Sequence, residues 1–331
     1  MLRVHFTADD LTRVRVAAAP DPLWEITNSF QLLISKDAPL LFGQWRKLVR
    51  PRMGRAHSLL AALLPPRGYS PDFLTPDLQG FFDLASAVET VLGTPRFRLR
   101  RDLALLAAST HRLHPMPPST RALAEGEPAA LRRLGAALQA QHHSALAPFW
   151  NQIWAHVDAD RAIRARSVLD GGTDGLLEGF RPVLRWHPPV LEADYPVERN
   201  VYLSGRGLLL QPSFFCLRRP VTVADDTLTP VLVYPIEHTL GWALQSTGAE
   251  GDASLAALIG RTRAAILENV VMGATTGELA MRLGISGAAV SQHTAVLRQA
   301  SLLVSVRRGR YVLHTGTATG LALLDGVRPS V

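Results

Sequence analysis

The chain has 331 residues, a length that accommodates about two domains of roughly 150 residues each. Apolar residues make up 47% of it and charged residues 19%, a balance that favours a folded globular protein over a disordered one. The formal net charge is +7. The only cysteine is Cys216, which excludes a disulfide framework, a cysteine-based zinc site and an iron–sulfur cluster.

Nothing in the sequence indicates a membrane protein. No run of about 18 apolar residues is present, so we expect no membrane span. The opening segment MLRVHFTADDL brings in Asp9 and Asp10 where a signal peptide needs an apolar core. These observations predict a cytoplasmic protein.

The N-terminal segment up to position 170 is predicted to be mainly helical. Apolar residues recur at helical spacing through 23–34, 59–64, 78–92 and 99–113. A longer pattern from about Pro128 to Val168 predicts two helices that meet at Pro148. It ends at the glycine-rich segment that begins with Asp170.

Short β-type runs replace the helical pattern between 183 and 236. They cover 197–203, 207–211 and 230–236, and Ser204-Gly205-Arg206-Gly207 between the first two predicts a hairpin turn. The small, polar, glycine-rich stretch 245–252 then predicts a boundary. We therefore expect an N-terminal region of residues 1–250 and a C-terminal domain of residues 251–331.

The C-terminal region carries the most specific local signal. Thr275 and Glu278 have the spacing of a capping box, which predicts a helix that runs to Leu283. Gly284 can end this helix with a positive φ, and Ser286 can cap a second helix that reaches about Ala300. Two short helices joined by such a turn predict a helix-turn-helix.

The second of these helices has a face suited to DNA. Val290, Val296 and Leu297 are predicted to point inward, with His293 and Thr294 at the margins, and His293 is a further candidate for DNA contact. The outward residues are small or form hydrogen bonds, as a helix in a major groove requires: Ala288, Ser291, Gln292 and Ala295. Gln292 is the best candidate to read a base, because its amide can pair with adenine through two hydrogen bonds.

Two β-type runs, 302–306 and 311–314, follow and predict a wing. Arg307, Arg308 and Arg310 surround its glycine turn and suit phosphates or a narrow minor groove. The segment 251–331 holds a net charge of +4, against +3 for the longer remainder. Arg298 at the end of the second helix and Ser286 at its start are further candidates for phosphate contact.

These motifs resemble the ArsR/SmtB family of winged helix-turn-helix transcriptional regulators. The similar segments are Gly277-Glu278-Leu279-Ala280, Gly284-Ile285-Ser286, Val290-Ser291-Gln292-His293 and Val296-Leu297-Arg298. The resemblance is confined to 253–325 and implies DNA binding by a homodimeric repressor. Metal-sensing members place cysteine in the first motif helix, and 278–283 has none, so thiolate metal sensing is not implied. The long N-terminal extension resembles that of some large actinobacterial members.

The N-terminal region supplies no catalytic, cofactor or metal motif. His142, His143 and His156, and likewise His111 and His114, lack acidic or cysteine partners at ligand spacing. The glycine-rich segment 170–179 fits neither a phosphate-binding loop nor a dinucleotide fingerprint. Its many aromatic residues are interpreted as core, with an apolar effector pocket as the alternative.

The sequence therefore predicts a mainly α protein with small β elements, in which a helical N-terminal region with a short β-hairpin or sheet precedes a winged helix-turn-helix. The predicted function is a transcriptional regulator that is not an enzyme, binds double-stranded operator DNA, acts at the nucleoid and forms a homodimer. An unidentified small-molecule effector is left open. Two alternatives are a sensing module whose winged helix contacts proteins only, and an enzyme fused to a DNA-binding domain.

Overall fold

The chain forms two compact units, residues 1–242 and 243–331. The computed structural model describes residues 1–54, 57–78, 83–109, 118–244, 255–271, 273–309 and 311–325. Helices make up 56% of the structure and strands 15%, which confirms a mainly α fold with small β elements. The predicted boundary at 250/251 lies outside the described residues.

Nine α-helices in the described part of the first unit account for most of the helical prediction. Asp21 begins the second of them by accepting hydrogen bonds from the amides of Leu23 and Trp24. The last helix is bent at Gly171 and Gly172, where the predicted pattern ends. The helices are α1 (Ala8–Leu11), α2 (Pro22–Ile34), α3 (Pro39–Val49), α4 (His57–Leu63), α5 (Leu84–Leu92), α6 (Arg96–Ala108), α7 (Pro118–Ala124), α8 (Pro128–Gln141) and α9 (Trp150–Glu178).

Two four-stranded sheets complete the described part of the first unit. One has the order β3-β4-β1-β5, and the other has the order β2-β6-β8-β7. The strands are β1 (Leu2–His5), β2 (Arg15–Val16), β3 (Leu184–His187), β4 (Val190–Ala193), β5 (Arg199–Tyr202), β6 (Leu209–Ser213), β7 (Val221–Thr222) and β8 (Val231–Pro235). None of the helices in the described ranges is both long enough and apolar enough to cross a bilayer.

The mainly helical segment before position 170 also contains β1 and β2, which lie near its start and pair with strands that lie after α9. One prediction about these sheets was wrong. The turn at 204–207 does not close a hairpin. It carries the chain from one sheet to the other, since β5 pairs with β1 and β6 pairs with β2 and β8, all in parallel.

Contacts with α1 and the loop after it hold the turn at 204–207 in its position between the two sheets. The amide of Gly207 donates to a carboxylate oxygen of Asp10 at 2.9 Å, and the Arg13 guanidinium donates to the carbonyl of Gly205 at 2.5 Å. Gly207 has a φ of +72°, and a Cβ there would lie 2.5 Å from Arg13. The turn therefore serves a long-range contact that no local motif reveals.

Aromatic side chains fill the core of the first unit, which supports the core interpretation for most of them. Phe42, Trp45, Phe214, Phe215 and Trp242 are all nearly or fully buried and meet at ring-centroid distances of 4.7–6.3 Å. The indole N–H groups of the two tryptophans donate to backbone carbonyls at 2.8 and 2.9 Å. These bonds satisfy the two indole N–H groups, which burial would otherwise leave without a hydrogen-bond acceptor.

A fully buried carboxylate lies beside this aromatic cluster. The two oxygens of Glu25 accept hydrogen bonds from the amides of Phe214 and Phe215 at 2.7 and 3.0 Å. Burial raises the pKa of Glu25 to about 7, because it penalises the charged form more than these bonds favour it. Burial likewise raises the pKa of Asp21 to about 6.

In the second unit, a helical segment at 255–259 precedes four further α-helices, and a three-stranded sheet has the order β10-β11-β9. The core of this unit includes Ile266, Leu279, Val290, Leu297 and Leu303. The helices are α10 (Arg261–Asn269), α11 (Thr276–Leu283), α12 (Gly287–Gln299) and α13 (Ala318–Asp325), and the strands are β9 (Ala274–Thr275), β10 (Leu303–Arg308) and β11 (Tyr311–Gly316).

Candidate nucleic-acid interface

The predicted capping box fixes the start of α11. The Thr275 amide donates to a carboxylate oxygen of Glu278 at 2.7 Å, and the Glu278 amide donates back to the Thr275 hydroxyl at 3.2 Å. The Thr275 amide and, at 3.0 Å, the Thr275 hydroxyl both donate to this carboxylate, and they hold the pKa of Glu278 below its usual value. The pair satisfies two amides at the helix start, as the sequence predicts.

A tight turn joins α11 to α12. Gly284 adopts a φ of +64°, and the amide of Ile285 returns to the carbonyl of Ala280 at 3.1 Å. The Ser286 hydroxyl then accepts from the amide of Ala289 at 3.1 Å and caps α12. The predicted capping role of Ser286 is therefore observed, and the turn between the two helices is short.

The buried face of α12 differs in part from the prediction. Val290 and Leu297 are buried as expected, but Val296 is 42% exposed and Thr294 is 3% exposed. The Thr294 hydroxyl can be buried because it donates to the carbonyl of Ser291 at 3.1 Å. Helical geometry favours this outcome, since 290, 294 and 297 follow one stripe and 296 lies beside it.

Among the residues predicted to face DNA, exposure varies. Ala288, Ser291, Gln292 and Arg298 are exposed, whereas His293 and Ala295 are half-buried. The Ser291 hydroxyl donates to the carbonyl of Gly287 at 2.9 Å within its own helix, which leaves it as an acceptor. Gln292 makes no side-chain hydrogen bond to any described residue, so its whole amide is open to an external partner.

The hairpin of β10 and β11 follows α12 as the sequence predicts. Arg308 pairs with Tyr311 at its tip, where Gly309 has a φ of +57°. Arg307 is exposed, and Arg308 ends β10. Arg310 lies outside the described residues. The exposed arginine and the tight tip make this hairpin a candidate for phosphate contact.

His314 connects two elements of the second unit, and the sequence analysis missed it. Its ring nitrogens lie 2.9 Å from the Thr276 hydroxyl and 2.8 Å from the Ser305 hydroxyl, so it links α11 to β10. Burial lowers its pKa, and the nearby Arg298 lowers it further. The strand register pairs Ser305 with His314. A hairpin turn placed at Gly309 therefore predicts the contact with Ser305, but not the contact with Thr276.

Two of the histidines considered as metal ligands, His142 and His156, make structural contacts within the first unit. The ring of His156 hydrogen-bonds to the Gln152 carbonyl at 2.8 Å and the Thr239 hydroxyl at 3.3 Å. Burial lowers the pKa of His142 to about 4. No group of three metal-ligating side chains occurs in the described part of the chain, and His111 and His114 lie outside it.

Comparison of the chain with protein-family models, curated proteins and solved structures gives no match. The candidate interface is therefore defined by the geometry of α11, α12 and the β10–β11 hairpin.

Proposed function

We propose that this protein is a sequence-specific DNA-binding transcriptional regulator whose second unit is a winged helix-turn-helix. The observation that carries the proposal is the exposed face of α12. It presents the short side chains of Ala288 and Ser291 beside Gln292, whose amide is unengaged by described residues. Short side chains on this face let the helix approach the base edges closely enough for its polar groups to reach them.

The dimensions suit a major groove. A helix of 13 residues is about 20 Å long, and a B-DNA major groove of roughly 12 Å width admits one. With the N-terminal half of α12 at the bases, Gln292 would pair with an adenine, and Ser286 would lie near a phosphate at the helix N-terminus. Arg298 and Arg307 would contact the phosphate backbone on either side.

The proposal includes a homodimeric repressor in the cytoplasm, at the nucleoid. Two-fold symmetry places one α12 in each of two successive major grooves. The operator would then be an inverted repeat with half-sites roughly 34–36 Å apart. A winged helix used only for protein contacts would show no salt-dependent duplex binding, so the same titrations decide between these functions.

Replacing Gln292 by alanine should relax sequence specificity. We expect the Gln292→Ala variant to bind a duplex carrying its own promoter about 1–3 kcal/mol more weakly, with affinity for random duplex unchanged. The measurement is a fluorescence-anisotropy titration against both duplexes. Gln139→Ala, which removes an exposed glutamine from α8, is the matched control. Equal weakening on both duplexes would show that Gln292 does not read a base.

Replacing Arg307 by alanine should weaken DNA binding without changing sequence specificity. Loss of one phosphate contact weakens binding to both duplexes by the same factor and reduces the slope of log K against log salt by about 0.9. Titrations at four salt concentrations measure the slope, with Arg166→Ala as a control at an exposed arginine of α9. Absence of salt-dependent duplex binding by the wild-type chain would reject the proposed function itself.

A further inference from the structure

The first unit contains a cavity of about 1070 Å³. Small-molecule pockets are typically roughly 300–1,000 Å³, so this cavity is large enough for a drug-sized ligand. One face of α2 lines it with Trp24, Thr27, Asn28, Gln31 and Leu32. The rest of the wall comes from Ser35 and Asp37, from 66–75, from the end of α6, and from 195–199 and 215–224.

Much of the wall is apolar. Trp24 and Phe215 lie in it, and so do Leu105 and Val197, which remain 42% and 59% exposed. Large apolar side chains left exposed on a concave surface favour an apolar partner. The cavity therefore offers a ligand a place for an apolar body.

The charged groups in the wall are mostly cationic. Of four arginines, Arg199 is held by Asp226 and Arg219 by Asp194. Arg67 and Arg218 are exposed and make no hydrogen bond or ion pair with any described residue. The acidic groups are Asp37 and Asp72, and the second accepts hydrogen bonds from the amides of Ala224 and Asp225.

Backbone strain coincides with one of the two free arginines. Arg218 has a φ of +62°, and the amide of Arg219 donates to the carbonyl of Leu217 at 2.7 Å, which closes a γ-turn of the rare positive-φ form. An arginine here costs more than a glycine would. Strain of this kind concentrates at binding sites, where the side chain repays it.

A buried amide adds a polar point inside the cavity. Asn28 is 6% exposed and donates to the Ser213 hydroxyl at 3.1 Å. Its carbonyl oxygen accepts no hydrogen bond from any described residue. An oxygen placed in this way can orient a ligand that also carries a donor.

We infer that this cavity binds an amphipathic organic anion, a carboxylate or sulfonate on a hydrocarbon or aromatic body. The apolar wall takes the body, and Arg67 and Arg218 take the anionic group. This inference concerns the first unit alone and stands independently of DNA binding.

Two fluorescent probes of similar shape and different charge test it. We expect 1-anilinonaphthalene-8-sulfonate to bind the full-length protein at one molecule per chain. The neutral N-phenyl-1-naphthylamine should bind at least about tenfold more weakly. The double variant Arg67→Gln/Arg218→Gln should weaken the anionic probe by about tenfold and leave the neutral probe within twofold. A double variant with Arg218→Lys in place of Arg218→Gln keeps one positive charge and should recover part of the lost affinity for the anionic probe.

Two further variants guard against a general surface effect. Arg166→Gln removes an exposed arginine elsewhere and should leave both probes unchanged. Leu105→Glu places an anion on the apolar wall and should weaken the anionic probe more than Leu105→Gln does. Binding of several probe molecules per chain, equal affinity for the two probes, or an equal loss in the Arg166 control would overturn the inference. So would absence of saturable binding.

Discussion

Raising the pH from about 4.5 to about 7 should cost the first unit about 3 kcal/mol of unfolding free energy through Glu25 alone. The native state holds this proton more tightly than the unfolded chain, because burial raises the folded pKa to about 7 from 4.5. The stabilisation is therefore complete below the unfolded value. It is lost as the pH rises through the folded one.

The Glu25→Gln variant isolates this contribution. Glutamine keeps the shape but does not titrate, and it sets an amide against one of the two donors, Phe214 or Phe215. It should be less stable at every pH, and the wild-type advantage should shrink by about 3 kcal/mol across the window. Asp21 and the histidines contribute to both profiles, so they largely cancel in the difference.

Tryptophan fluorescence during urea unfolding measures this difference for the first unit alone. All six tryptophans of the chain lie between Trp24 and Trp242, within the first unit. Glu178→Gln, a change at an exposed glutamate that ends α9, should give a profile parallel to that of the wild type. A constant difference between wild type and Glu25→Gln across the window would mean that folding does not raise the pKa of Glu25.

Replacing Gly320 by alanine should destabilise the second unit by about 3 kcal/mol or more. A Cβ at Gly320 would lie 2.1 Å from the carbonyl oxygen of Leu302 and 3.2 Å from the side chain of Leu267. The close contact is backbone, so relief requires a shift of α13 against the start of β10. Because β10 carries the arginines of the hairpin, duplex affinity should fall as well.

Hydrogen exchange followed by mass spectrometry reads this effect unit by unit. Peptides from 255–325 should lose protection in Gly320→Ala, while peptides from 1–242 keep theirs. Gly277→Ala is the matched control, because Gly277 is exposed in α11 with nothing within 4 Å of its Cβ position. That variant should gain about 0.5–1 kcal/mol. Unchanged protection in Gly320→Ala would show that α13 can move at little cost.

Local chemistry made part of this protein predictable. Thr275, Glu278, Gly284 and Ser286 act on partners close in sequence, so their spacing was enough to place both helix starts and the turn. The sequence predicts Val296 inward because it is apolar, but the buried stripe contains Thr294, whose hydroxyl is satisfied by its own helix. The prediction fails at these two positions because a helix backbone can satisfy a buried hydroxyl.

Long-range pairing explains what the sequence analysis missed. The partners of β1 lie in 190–202. A strand of four residues is too short for its hydrophobic pattern to predict which distant strands it pairs with. The cavity is assembled from separate segments between Trp24 and Ala224, none of which carries a motif. Arg67 and Arg218 become notable only when the fold shows that the other two arginines of the wall are paired.

The position of β1 also bears on how the protein is made. This strand lies between β4 and β5, and the amino group of Met1 donates to the carbonyls of Tyr195 and Val197 at 3.1 Å. Roughly 190 residues must leave the ribosome before the strand can pair, which takes about 10–40 s at about 5–20 residues per second. The sheet therefore closes only after β4 and β5 have been made, and until then Leu2 and Val4 lack the neighbours that bury them in the folded protein.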